Sequence, residues 1–121
     1  MLNLETIAEI ANQSQGDLSL AVAEFTVGPG KVKMGKTPQL MGVINLSTDS
    51  WYSESVCADS ESAIERGKTL HAQGASIIDI GAESTLPEAE VLGAAAQLER
   101  VLPVVEALAG SGIAVSVETY D

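Results

Sequence analysis

Leu4, Ile7, Ala8 and Ile10 recur close to helical spacing, which predicts a short amphipathic helix over Asn3–Asn12 and a polar turn over Asn12–Asp17. From Leu18 to Lys36 the pattern changes to alternating, β-branched stretches around Gly28-Pro29-Gly30, with Phe25 and Val27 before the turn and Val32 and Met34 after it. That pattern predicts a β-hairpin. Gln39–Leu46 is a nearly continuous apolar run broken by Gly42 and Asn45, too uniform for a strand with one wet face and suited to a central parallel strand.

A helix is predicted over Ala58–Gln73, with Asp59 or Ser60 as N-cap, Ala63, Ile64, Gly67, Leu70 and His71 along one side, and Gly74 as its stop. Ala75–Ile80 reads as the next strand. Helical spacing resumes from Val91 to Ala109, where Pro103 is expected to kink or divide the helix. After Gly110-Ser111-Gly112, residues Ile113–Val117 read as a third strand.

Strand, helix, strand, helix, strand at this pitch implies right-handed βαβ crossovers and a parallel sheet, an α/β fold. The chain divides into residues 1–37, a helix and hairpin that form a cap, and residues 38–121, the βα units. In such folds ligands collect beyond the C-terminal ends of the strands.

Composition narrows the function classes. The chain is 45% apolar, enough for a core, and its 17 Asp and Glu against 6 Lys and Arg give a net charge of -11. That charge repels nucleic-acid phosphate and anionic lipid, so neither nucleic acid nor membrane is an expected partner. A single cysteine, Cys57, excludes an internal disulfide and a multi-cysteine metal site, and it is expected to be a buried or half-buried thiol. Met1–Ala11 has no run apolar enough for a signal segment or a membrane span, and a cytoplasmic location is expected. His71, far from the strand ends, is expected to be a packing or surface histidine.

Three polar segments fall at the strand ends: Asn45-Leu-Ser-Thr-Asp49-Ser50, Asp79-Ile-Gly-Ala-Glu83-Ser84-Thr85 and Glu118-Thr-Tyr120-Asp121. They suit a ligand with several ring N–H donors, or a hard cation carrying phosphate. From the residues alone, Asn45 either satisfies backbone groups or binds a metal. Asp79 and Glu118 are either structural acceptors or ligand contacts, and Trp51 and Tyr52 either anchor a loop or stack on an aromatic substrate.

Met41-Gly-Val-Ile-Asn45-Leu-Ser-Thr-Asp49-Ser50 resembles the first signature of the dihydropteroate synthase family, and Gly74-Ala-Ser-Ile-Ile-Asp79-Ile-Gly81-Ala-Glu83-Ser-Thr85-Leu-Pro87 resembles the second. Glu99-Arg100-Val-Leu-Pro103-Val-Val and Val115-Ser-Val-Glu118-Thr-Tyr120 match the stretches that follow. The resemblance implies a (β/α)8 TIM-type barrel, of which this chain holds about the first three strands and two helices, since a full barrel needs about 250 residues.

It also implies the reaction, in which a dihydropterin methylene passes from its diphosphate ester to the amine of p-aminobenzoate in folate biosynthesis. By the same resemblance Asn45 coordinates Mg²⁺, Asp79 and Glu118 reach the pterin, Asp49 and Ser50 lie in the first loop, and Ser84 and Thr85 lie in the second. No catalytic base falls within the chain. The departures from the family pattern are Thr48 for proline, Trp51 for phenylalanine, Ser53 for aspartate, Leu86 for arginine, Glu88 for glycine and Glu118 for aspartate.

The family's later pterin-binding and anion-binding residues lie on strands this chain does not reach, so residues 1–121 alone are expected to be inactive. A homo-oligomer or a completing C-terminal chain is an expected partner. A methyltetrahydrofolate-type pterin-binding methyltransferase and a non-catalytic paralogue stand as alternatives. The Glu83 to Pro87 loop favours the synthase, and Ser53, Leu86 and Glu118 suggest the paralogue.

Overall fold

A computed structural model describes residues 3–21, 23–28, 30–32, 38–47, 52–83 and 92–119. Its elements are α1 (Leu4–Gln13), α2 (Gln15–Leu18), β1 (Phe25–Val27), β2 (Gly30–Val32), β3 (Leu40–Asn45), α3 (Ser60–Ala72), β4 (Ala75–Gly81), α4 (Ala94–Gly110) and β5 (Val115–Glu118). A single 3₁₀ turn at Ser53–Ser55 lies between β3 and α3.

Asn3 caps α1 by accepting from the Thr6 backbone N–H at 2.8 Å. The expected polar turn after it is instead mostly helical, because Gln15–Leu18 closes one further turn. β1 and β2 pair antiparallel as the expected hairpin, with Phe25 opposite Val32, while Met34 lies outside the described residues. A Cβ at Gly28 would stand 3.7 Å from the Ala114 Cα, so the hairpin turn lies beside the entry to β5, away from the strand C-termini.

β3, β4 and β5 form a parallel sheet in that order. β3 is therefore an edge strand among the described residues, not a central one, and its burial alternates: Gly42 and Ile44 are buried while Met41 and Val43 are exposed. The reason is that α3 and α4 cover only one face of the sheet. On that face Ile44, Ile78, Ile80, Val104 and Leu108 are fully buried. Each such side chain contributes about 1.5–3 kcal/mol of hydrophobic stabilisation.

Two glycines permit the close approach. A Cβ at Gly42 would stand 3.0 Å from Leu70 Cδ1, and one at Gly67 would stand 2.7 Å from Leu108 Cδ1.

Asp59 is the N-cap of α3, forming a capping box with Ser62, and Gly74 takes a φ of +112° where the helix ends. α4 runs unbroken from Ala94 to Gly110 with Pro103 inside it, so the expected division does not occur. Pro103 lies on the exposed side, where the Glu99 carbonyl that loses its donor can turn to water. No helix among the described residues is long and apolar enough to cross a membrane.

Candidate functional site

The parallel register aligns the last residues of the three strands, with Asn45 opposite Gly81 and Gly81 opposite Glu118. One layer deeper, Val43 lies opposite Asp79 and Asp79 opposite Ser116. Because side chains alternate along a strand, both layers project from the face that α3 and α4 leave open.

Gly81 is a notch in the outer layer: a Cβ built there would lie 3.5 Å from Asn45 Oδ1 and 3.7 Å from Glu118 Oε2. Beneath it the Ser116 hydroxyl donates to Asp79 Oδ1 at 2.5 Å, which occupies one carboxylate oxygen and fixes the plane of the other. The result is a cluster of hydrogen-bond acceptors at the C-terminal strand ends, suited to a planar ligand with several N–H donors.

Two loops are tied to this patch. After β3 the chain returns so that Val56 bridges to Asn45, the Cys57 N–H donates to the Asn45 carbonyl at 2.9 Å and Ser55 is buried against the strand end. Asn45 Nδ2 donates to Ser55 Oγ at 2.7 Å.

On the other side the buried Gln97 of α4 donates through Nε2 to Glu83 Oε2 at 3.0 Å and to the Leu92 carbonyl at 2.8 Å. Its Oε1 accepts from Thr119 Oγ1 at 3.1 Å. Gln97 thereby joins the segment after β4 to the residue after Glu118. Neither Ser55 nor Gln97 is a site residue in the sequence reading, because neither belongs to a signature and each acts through partners distant along the chain.

The structure brings Asn45, Asp79 and Glu118 together. Asp49, Ser50, Ser84 and Thr85 lie outside the described residues, as do Thr48, Trp51, Leu86 and Glu88. Tyr52 is half-exposed, and its hydroxyl donates to Glu54 Oε2 at 3.0 Å, which raises the Tyr52 pKa above its ordinary value.

Cys57 is buried, and desolvation pushes its thiol pKa up, away from a reactive thiolate. His71 is exposed on α3 with Nδ1 3.0 Å from the Ala75 carbonyl oxygen, as befits a surface histidine.

Among the described residues no three His, Cys, Asp or Glu side chains cluster as a metal cage. Asn45 Oδ1 is one hard oxygen donor, a set that fits Mg²⁺ arriving on a phosphate and keeping its waters.

Parallel strands backed by helices on one face, with an acceptor patch at their C-terminal ends, define a strand-end ligand site of the α/β barrel class. The model of the pterin binding enzyme family matches residues 41–121. The chain belongs to that family.

It is 35% identical over 82 residues to the dihydropteroate synthase type-3 of Escherichia coli, covering 68% of this chain and 31% of that protein. Among solved structures it is similar to the Yersinia pestis dihydropteroate synthase in complex with a sulfonamide drug, with 34% identity and a TM-score of 0.70 over 82% of this chain and 35% of the other. It is also similar to the Burkholderia cenocepacia synthase complexed with 7,8-dihydropteroate, with 30% identity and a TM-score of 0.62 over 82% of this chain and 31% of that one. The three βα strands are thus part of a TIM-type barrel, and the chain spans about a third of the length of these relatives.

Proposed function

We propose that the strand-end patch is the pterin floor of a dihydropteroate synthase-type transferase, a cytoplasmic enzyme of folate biosynthesis. The observation that carries this is the register of Asn45, Gly81 and Glu118 above Asp79, an acceptor surface shaped for a donor-bearing ring. The 7,8-dihydropteroate bound by the Burkholderia cenocepacia relative is a product of that kind.

In the reaction the bond from the pterin methylene carbon to the diphosphate oxygen breaks, and the p-aminobenzoate amine forms the new C–N bond. The amine's proton leaves to solvent and diphosphate departs with the bonding electrons. Asp79 and Glu118 accept ring N–H donors and so hold the methylene in position, and their negative charge favours the cationic carbon that develops as the diphosphate leaves. Asn45 Oδ1 would hold Mg²⁺, which neutralises charge on the leaving diphosphate.

Asp49 and Ser50 in the first loop, and Ser84 and Thr85 in the second, would close over the p-aminobenzoate end and exclude water from the reactive carbon. The three strands are part of a barrel, and by this reading they are inactive without the rest of it.

The test is pterin fluorescence titration of the protein and of Asp79→Asn, which keeps the shape of the side chain but removes its charge. Losing a hydrogen bond to a charged acceptor should weaken pterin binding by about 10- to 100-fold. Equal affinity in the two proteins would place the pterin elsewhere.

A further inference from the structure

We infer that Ser55 is a positioning residue that fixes which end of the Asn45 amide faces the cleft. This rests on the reading of Asn45 as the ligand of a substrate-borne cation. An amide has a donor end and an acceptor end of nearly the same shape, so a ligand-binding asparagine needs something to choose between them.

Ser55 makes the choice by the number of protons available. Its Oγ lies 2.6 Å from the Tyr52 carbonyl oxygen, which can only accept, so the single hydroxyl proton is committed there. The hydroxyl can then only accept from Asn45, which turns Nδ2 toward Ser55 at 2.7 Å and leaves Oδ1 on the Gly81 side. With Ser55 only 1% exposed, bulk water does not compete for its hydroxyl while the side chain is in place. The Asn45–Val56 bridge and the Cys57 N–H bond to the Asn45 carbonyl hold the two partners in place. In the flipped amide, Oδ1 would face the hydroxyl oxygen, and the hydroxyl would have to abandon Tyr52 to donate to it. That flip would also present an N–H₂ group to the cation.

The experiment is NMR on the full chain, reading exchange of the Asn45 side-chain amide protons against those of the exposed Asn12, and titrating with Mg²⁺ and pyrophosphate. The Asn45 protons should exchange more slowly than those of Asn12 by about tenfold, the equilibrium value of one net hydrogen bond. Ser55→Ala should bring them to the Asn12 rate, and Ser55→Thr, which keeps the hydroxyl, should retain protection. Mg²⁺-pyrophosphate should shift the Asn45 signal in the unmutated protein and bind Ser55→Ala more weakly.

Unprotected Asn45 protons in the unmutated protein, a result that needs no variant to fold, would overturn the inference. So would protection that survives Ser55→Ala. Protection lost in Ser55→Ala without any Mg²⁺-pyrophosphate shift would support the positioning role and overturn the cation reading instead.

Discussion

Gly81→Ala separates the fold from the site. The substituted methyl would stand 3.5 Å from Asn45 Oδ1 and 3.7 Å from Glu118 Oε2, ordinary van der Waals distances, so nothing in the protein has to move. Gly81 is not among the glycines with positive φ, so alanine fits its backbone without strain. Replacing glycine at such a position stabilises by about 0.4–1 kcal/mol, mainly by restricting the unfolded chain. In a domain of this size that raises the melting temperature by about 2–8 °C.

The ligand meets the opposite effect, because the methyl fills the notch between the two outer acceptors. A ring lifted off Asp79 or Glu118 loses at least one hydrogen bond to a charged group, so affinity should fall by about 10- to 100-fold. Circular dichroism melting and fluorescence titration with a dihydropterin measure the two effects on the same samples. A higher melting temperature with unchanged pterin affinity would show that the ring does not lie over Gly81. A lower melting temperature would show that the notch is part of the packing and not a vacancy for ligand.

Two further predictions concern the scaffold. Gly67→Ala places a Cβ 2.7 Å from Leu108 Cδ1 and 2.9 Å from Cδ2, and Leu108 is fully buried. Overpacking there should outweigh the gain in helix propensity by about 1–2 kcal/mol in urea unfolding, and Leu108→Val should recover part of the loss. A more stable Gly67→Ala would refute the close packing of α3 on α4.

The Ser62 backbone N–H holds the Asp59 carboxyl below its ordinary pKa. A depressed folded pKa stabilises fully above the unfolded value of about 3.9 and loses that contribution as pH falls through the folded value. Urea midpoints of the protein and of Asp59→Asn should therefore converge as pH drops from 7 to below 4, and a constant gap would refute it.

Element types were legible in the sequence wherever the cause was local. Gly74 stops α3 because only a positive φ turns the chain there, and Asp59 caps because its carboxylate reaches a backbone N–H three residues on. The βα order followed from the lengths and periods of the apolar runs. Three kinds of fact were not legible.

The exposure of Met41 and Val43 depends on what covers the second face of the sheet, which the apolar run cannot say. The effect of Pro103 depends on the exposed side of α4, where a lost hydrogen bond is replaced by water. The roles of Ser55 and Gln97 depend on partners that only the folded register brings close. Asn45, Asp79 and Glu118 were legible because each ends or nearly ends a strand, and strand ends on one sheet converge.

The acceptor patch also fixes what the rest of the site must supply. Asn45, Asp79, Ser116 and Glu118 line the open face, while Arg66, Lys68 and Arg100 all lie on α3 and α4, behind the sheet. Such a surface attracts ring N–H groups and repels a diphosphate or a carboxylate, and a protein of net charge -11 adds to the repulsion. In sequence, Leu86 stands at an arginine position of the family pattern, one cation fewer than that pattern has. On the proposed reading, recognition of the pterin and recognition of the anionic groups are therefore separable: the first would rest on the ends of β3, β4 and β5, and the second on Mg²⁺ or on positive side chains outside these strands. The uncovered apolar side chains point to the same incompleteness: Leu98, Leu102 and Val117 border an open groove beside β5, in the direction a further strand and helix would take in a barrel.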